Sequence, residues 1–116
     1  MAELIENASV RELQKYQEDL CRERGWDKSE DLEVFLLLSE EFGELAKAIR
    51  NMKGLYLEKG KDKGNFKDEL DKEFADVLGY LLELANQMGV DLQSAFRKKE
   101  LANRKREWLA KKKDKS

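Results

Sequence analysis

The chain has 116 residues, no proline and no histidine, and 41% of its residues are charged, with a formal net charge of −2. This length suits one domain, and a composition rich in Glu, Lys, Leu and Ala predicts an all-helical fold. The near balance of charge disfavours a nucleic-acid binder, and no apolar run approaches the roughly 20 residues that cross a membrane. The absence of histidine excludes Ser-His and Cys-His nucleophilic catalysis and disfavours a catalytic zinc site.

The single cysteine, Cys21, excludes an intrachain disulfide and indicates a reducing compartment. Because the first residues carry no secretory signal, we expect a cytoplasmic protein. We expect Cys21 to pack as a small hydrophobe on the first helix. The whole chain, residues 1–116, is predicted to be one domain, with residues 1–8 and 111–116 disordered.

The first predicted helix begins after Ser9, which can form a capping box with Glu12, and it ends near residue 24 because Gly25 can terminate it. Its core-facing residues are predicted to be Val10, Leu13, Tyr16, Gln17 and Leu20. Trp26 follows the helix end directly in a polar segment. It is either a hydrophobic clasp between helices or the wall of a ligand pocket that stacks on a flat base.

The second predicted helix spans residues 31–52 and the third spans residues 67–88. The second is expected to place in the core Leu38, Phe42, Leu45, Ile49 and Met52, and the third Leu70, Phe74, Val77, Leu81, Ala85 and Met88. The glycine- and lysine-rich loop of residues 54–65 between them is either flexible or orders over an anionic ligand. Gly89 ends the third helix, and Asp91 caps a fourth that is predicted to run to about residue 110.

Each of the two long helices carries a pair of carboxylates beside its apolar stripe. Glu41 and Glu44 form the first pair, and Glu73 and Asp76 form the second. Residues three apart share a helix face, and partly buried carboxylates repel each other unless a cation lies between them. Packing of the two helices would bring four carboxylates together as an all-oxygen site for Mg²⁺ or Mn²⁺. One such pair alone would be read as a solvated helix face.

The acidic motifs occur in a recognisable order with several other segments. These are Glu40-Glu41-Phe42-Gly43-Glu44 (E-E-x-x-E), Glu73-Phe74-Ala75-Asp76 (E-x-x-D), Arg24-Gly25-Trp26, Gly89-Val90-Asp91-Leu92 and Lys99-x-x-x-Asn103-x-x-Arg106. Together they resemble the MazG-like nucleotide pyrophosphohydrolases, the all-α NTP pyrophosphatase superfamily, near its dCTP pyrophosphatase-type members. The resemblance covers approximately residues 9–108.

The resemblance implies an enzyme that uses Mg²⁺, or Mn²⁺, to convert a (d)NTP to a (d)NMP and pyrophosphate by metal-activated water attack at the α-phosphate. It also implies a house-cleaning role in the nucleotide pool. Carried over by position, the metal ligands would be Glu41, Glu44, Glu73 and Asp76, and the catalytic residues Glu40, Glu41 and Glu44. Glu40 would be either a further ligand in a multi-metal state or the residue that orients the attacking water. The substrate-binding residues would be Trp26, Lys99, Asn103 and Arg106. The motifs do not define the base or the sugar.

The second and third helices carry more apolar residues than one four-helix subunit can cover. The surplus residues are Leu36, Ala46, Leu82 and Leu84. Because a helix that is apolar nearly all round needs partners on both sides, we predict a dimeric or dimer-of-dimers helical bundle, a homodimer or homotetramer. The alternative function is a non-enzymatic helical protein–protein interaction module. A Mg²⁺-dependent rise in melting temperature would favour the metal site over that module.

Overall fold

The computed structural model describes residues 1–57 and 64–106, which contain four α-helices. They are α1 (Val10–Glu23), α2 (Asp31–Met52), α3 (Phe66–Gln87) and α4 (Leu92–Arg104), with a 3₁₀ turn (Trp26–Lys28) between α1 and α2. The prediction of four helices is confirmed. The fourth helix ends earlier than predicted, because Lys105 and Arg106 already lie in a turn. Part of the predicted loop (58–63) and residues 107–116 lie outside the described residues.

Short-range signals in the sequence define the ends of the helices. The Ser9 side chain accepts a hydrogen bond from the backbone N–H of Glu12, whose carboxylate accepts one from the N–H of Ser9, as predicted. Gly25 follows α1 with a φ of 73°, a conformation that glycine adopts without strain. Asp91 caps α4 by accepting a hydrogen bond from the N–H of Ser94. The connections between helices therefore lie where the sequence places them.

The central contact of the fold joins α2 to α3, and α1 packs on α3. The α2 residues that are buried or half-buried are Val34, Leu38, Glu41, Leu45, Ala48, Arg50 and Asn51. The predicted core stripe of α2 is therefore partly wrong, because its other members, Phe42, Ile49 and Met52, are exposed. Since α2 is apolar over more than one face, its periodicity cannot tell which face packs on α3. The face that carries Glu41 packs inside the chain.

The predicted core stripe of α3 is also partly buried and partly exposed. Among the predicted core residues, Ala85 is buried and Leu70 and Val77 are half-buried, whereas Phe74, Leu81 and Met88 are exposed. Of the residues predicted to be surplus, Leu36 and Ala46 are exposed, but Leu82 is buried and Leu84 half-buried. Both long helices therefore keep one apolar stripe that the described part of the chain does not cover.

A hydrogen-bond network that the sequence pattern did not indicate connects α1 to the turn between α3 and α4. The buried Gln14 donates through Nε2 to Asn86 Oδ1 (3.0 Å) and to the carbonyl of Val90 (2.8 Å), and its Oε1 accepts from the N–H of Leu92 (2.7 Å). Nearby, Arg11 forms an ion pair with Asp91 at 2.8 Å, where α4 packs on α1. This network orients α1 relative to α3.

The predicted inner face of α1 is largely confirmed. Leu13, Tyr16, Gln17 and Leu20 are half-buried, and Val10 is exposed. Cys21 is 3% exposed, as expected of a small hydrophobe, and burial raises the pKa of its thiol to about 11, so the thiol is unreactive at neutral pH. In the segment predicted to be disordered, the N–H of Ala2 donates to the carboxylate of Glu23 at the end of α1. No helix in the described part of the chain is sufficiently long and apolar to cross a membrane.

Candidate active site

The contact between α2 and α3 brings three carboxylates together. One oxygen from each of Glu41, Glu73 and Asp76, here called the acidic cluster, lies within 4.8 Å of the other two. Glu41 and Glu73 are half-buried, whereas Asp76 is exposed. The cluster forms because Glu41 belongs to the packed stripe of α2, and that stripe places it against α3. Three of the four predicted ligands are therefore neighbours in the fold.

Within residues 1–57 and 64–106, no lysine or arginine forms an ion pair with the carboxylates of the cluster. Burial raises the pKa of Glu41, and a hydrogen bond with Glu73 and the charges of Asp76, Glu73 and Glu44 raise it further. One carboxylate oxygen of Glu41 and one of Glu73 are buried without a hydrogen-bond partner. Closely spaced, unsatisfied carboxylate oxygens are the donor set that a hard divalent cation prefers. The residues present therefore fit a Mg²⁺ or Mn²⁺ ion.

Glu44 and Glu40 lie on either side of this cluster. Glu44 is one helical turn beyond Glu41 and lines a separate groove of about 260 Å³ between α2 and α3, together with Glu73. Its charge still raises the pKa of Glu41, but its oxygens are not part of the three-residue group. Glu40 is exposed, and its charge contributes to raising the pKa of Tyr80 on α3. The structure thus places both near the cluster but outside it.

A cleft of about 510 Å³ adjoins the acidic cluster through Asp76, which lines the cleft as well. The residues that line it are Gln17, Arg24, Trp26, Ser29, Leu37, Ala75, Asp76, Gly79, Tyr80 and Glu83. This volume lies in the usual range of small-molecule sites. The Trp26 side chain is half-exposed in the wall, and the Arg24 guanidinium lies 4.9 Å from the centre of its ring. The pocket-wall interpretation of Trp26 agrees with this position.

Sequence reasoning missed Tyr80 and Glu83, which follow Asp76 along one face of α3 at i+4 and i+7. That spacing was the available signal. Burial raises the pKa of Tyr80, and the negative charges of Glu41, Glu83, Asp76 and Glu40 add to the shift. The phenol therefore keeps its proton and can donate a hydrogen bond into the cleft.

The three C-terminal residues predicted to bind substrate, Lys99, Asn103 and Arg106, lie elsewhere in the single chain. Lys99 and Asn103 belong to α4, which packs on α1, and Arg106 follows the end of α4. None of the three is among the residues that line the cleft beside the acidic cluster. Lys67, just after the predicted anion-binding loop, forms an ion pair with Asp71 at 2.6 Å. The loop residues Lys59, Lys61 and Lys63 lie outside the described residues.

Comparison with known proteins identifies the family. Residues 30–107 match the family model described as the MazG nucleotide pyrophosphohydrolase domain, which is about two thirds of the chain. The chain belongs to the MazG family. It is also 30% identical over 89 residues to the uncharacterized protein YvdC of Bacillus subtilis (strain 168), an alignment that covers 74% of this chain and 84% of YvdC. The resemblance of the sequence to this family is thereby confirmed.

The MazG match covers one part of the site and not the other. It includes α2, α3 and the whole acidic cluster, consistent with a family of metal-dependent hydrolases. Gln17, Arg24 and Trp26, which form the opposite wall of the cleft, precede the matched residues. The MazG domain therefore accounts for the acidic chemistry of the site, whereas the α1 side of the cleft comes from outside the matched segment.

Proposed function

We propose that this protein is a Mg²⁺-dependent nucleoside triphosphate pyrophosphohydrolase, which hydrolyses a (d)NTP to a (d)NMP and pyrophosphate by attack of water on the α-phosphorus. The observation that carries the proposal is the position of Asp76, which belongs both to the acidic cluster and to the cleft walled by Trp26. A nucleotide that places its base in the cleft can thereby bring its phosphates to the carboxylates. We further propose a house-cleaning role in the nucleotide pool.

The carboxylates have separate roles in this proposal. Glu41, Glu73 and Asp76 hold the ion, and Glu44, one turn along α2, joins them when its side chain turns toward the cluster. Without a cation these residues would repel a triphosphate, which carries roughly four negative charges. A bound Mg²⁺ supplies positive charge to the phosphate oxygens and lowers the pKa of water. Glu40, exposed beside the cluster, orients the attacking water.

Trp26 provides a flat apolar surface for the base. Stacking of a base on an aromatic side chain contributes about 1–3 kcal/mol and tolerates any base, because each has a π-face. Arg24 covers one face of the Trp26 ring, so the base and the guanidinium can occupy opposite faces. Trp26 therefore contributes affinity for nucleotides in general rather than selectivity among them.

A homodimer, or a homotetramer built from dimers, would cover the apolar residues that one chain leaves exposed. On α2 these include Phe35, Phe42 and Ile49, and on α3 they include Phe74, Leu78 and Leu81. The radius of gyration of 18.4 Å exceeds the value of about 13 Å typical of a compact domain of 100 residues. We propose that Lys99, Asn103 and Arg106 contact the triphosphate in this assembly.

The proposal is tested by measuring pyrophosphate release from all canonical NTPs and dNTPs with Mg²⁺ and with Mn²⁺. We expect a nucleoside monophosphate and pyrophosphate in equal amounts, and no activity with EDTA. Release of a diphosphate and inorganic phosphate would contradict attack at the α-phosphorus. Absence of turnover together with no effect of Mg²⁺ on the melting temperature would favour the interaction module instead.

Replacement of Gly79 by alanine should stabilise the fold and weaken nucleotide binding. Gly79 lines the cleft, and a Cβ built there meets no heavy atom within 4 Å. Alanine favours a helix by about 1 kcal/mol, which should raise the melting temperature by about 4 °C. The methyl group would occupy cleft space, so the KM for nucleotide should rise several-fold. Gly43→Ala, also unobstructed but on α2 outside the cleft, is the matched control. Equal KM values for the two variants would contradict this position for the nucleotide.

A further inference from the structure

Two helical turns along α3 from Asp76, the cleft contains a buried carboxyl group. Glu83 is only 8% exposed and lines the cleft, seven residues beyond Asp76 on the same face of α3. Seven residues correspond to about 10 Å along a helix axis. Tyr80 lies between these two acidic residues on α3, and Trp26 lines the same cleft. If the phosphates lie at Asp76, the edge of the base is brought to Glu83.

Several hydrogen-bond acceptors surround Glu83. Beyond it the cleft continues into a smaller pocket of about 180 Å³, which shares the Gln17 and Glu83 walls and adds Gln87. The Nε2 group of Gln17 donates to Cys21 Sγ at 3.6 Å, and that of Gln87 donates to the carbonyl of Ser29 at 2.8 Å. Gln87 Oε1 is buried without a partner. One N–H of each amide is thus engaged within the protein. Among the other donors that line the two pockets, Arg22 pairs with Glu18 and Asp19, and Arg24 lies over the Trp26 ring. The oxygens of Glu83 and of the two amides therefore remain as acceptors, with the Tyr80 phenol as a neighbouring donor.

The Cys21 thiol satisfies only part of the hydrogen-bonding capacity of Glu83. Burial raises the pKa of Glu83, and a hydrogen bond with Cys21 opposes that shift. A carboxyl group has two oxygens, so one thiol leaves acceptor capacity that a ligand can use. A buried polar group without a partner is costly, which gives this end of the cleft a preference for a ligand with N–H donors.

We propose that Glu83, assisted by Gln17, binds the edge of the nucleobase and selects bases with an exocyclic amino group at cytosine C4 or adenine C6 over bases with an oxygen there. This inference rests on the proposed function and specifies its substrate class. An amino group donates to the acceptor oxygens of Glu83 and Gln17. Uracil and hypoxanthine have at this position a carbonyl oxygen, whose lone pairs face those of the acceptors, and they keep only the adjacent ring N–H as a donor. Such a mismatch is selected against.

Two matched substrate pairs test the proposal, CTP against UTP and ATP against ITP, because the members of each pair differ at this position. We expect kcat/KM to favour CTP and ATP by about tenfold or more. In Glu83→Leu, a similar volume without acceptors, both ratios should fall toward one, because hydrolysis of CTP and ATP is impaired more than that of UTP and ITP. Gln17→Leu should reduce the ratios in part. Glu100→Leu, on the exposed surface of α4, should keep the wild-type ratios.

Binding of non-hydrolysable CTP and UTP analogues, measured by calorimetry, separates this inference from the proposed function. A preference for the CTP analogue that Glu83→Leu removes would support the inference even if no nucleotide is hydrolysed. Hydrolysis with equal efficiency on both members of each pair, or with ratios that Glu83→Leu leaves unchanged, would overturn the inference and leave the proposed function standing. Absence of both hydrolysis and binding would overturn both.

Discussion

Replacement of Glu41 by glutamine is expected to reduce pyrophosphate release by at least about 100-fold while stabilising the metal-free protein. The loss follows because Glu41 is the α2 member of the acidic cluster, and even residues that only support a metal ligand commonly account for 10- to 100-fold in activity. The stabilisation follows because burial, Glu73 and Asp76 all raise the pKa of Glu41, which means that its charged form is disfavoured in the fold. An amide at this position removes one charge and can donate to the remaining carboxylates.

Melting curves with and without Mg²⁺ measure the predicted stabilisation of the metal-free Glu41→Gln protein. A gain on the order of 1 kcal/mol in the absence of metal should raise the melting temperature of Glu41→Gln by about 4 °C. Mg²⁺ at about 100 times its Kd should stabilise the wild type by about 2.7 kcal/mol and the variant much less. Glu100→Gln, exposed on α4, should behave as the wild type in both conditions. A Glu41→Gln protein with wild-type activity and unchanged Mg²⁺ stabilisation would remove Glu41 from the site.

Glu40→Gln provides a contrast within the same motif. Because Glu40 lies outside the acidic cluster, its variant should retain the Mg²⁺-dependent rise in melting temperature. If Glu40 orients the attacking water, pyrophosphate release should nevertheless fall. Loss of the Mg²⁺ effect in Glu40→Gln would show that this residue holds the ion rather than the water.

The second large effect is expected from a charge placed in the exposed apolar stripes. Phe42 on α2 and Phe74 on α3 are 52% and 54% exposed in the single chain, so an aspartate at either position costs the isolated chain little. In a symmetric dimer each substitution occurs twice, and loss of a buried phenylalanine costs about 1.5–3 kcal/mol each time. The dimer dissociation constant should therefore rise by at least about 100-fold.

Size-exclusion chromatography with light scattering measures whether the wild type is assembled and whether Phe42→Asp and Phe74→Asp are monomers. The wild type should elute as a dimer or tetramer of the 13.6 kDa chain, and the variants as monomers at micromolar concentration. Phe96→Asp is the matched control, because Phe96 is 75% exposed but lies on α4, away from both stripes. A wild type that is monomeric at micromolar concentration would contradict the assembly.

The sequence by itself determined the helices and their caps, because these depend on short-range interactions. It also determined the family, because the motifs occur in a recognisable order along the chain. The Ser9 capping box, the turn at Gly25 and the Asp91 cap are formed by residues within a few positions of each other. The i, i+3 spacing of Glu73 and Asp76 also fixes their common helix face. The convergence of Glu41 with this pair could be predicted because both pairs flank apolar stripes, and the structure brings those three carboxylates together.

Only the tertiary structure decided which face of α2 and α3 is packed within the chain. Both helices are apolar on more than one side, so periodicity could not separate the stripe of Leu38 and Glu41 from that of Phe42 and Ile49. The cleft likewise combines residues distant in the sequence, with Gln17 and Trp26 opposite Tyr80 and Glu83. Such neighbours are created by the packing of α1 on α3, and no local spacing encodes that packing.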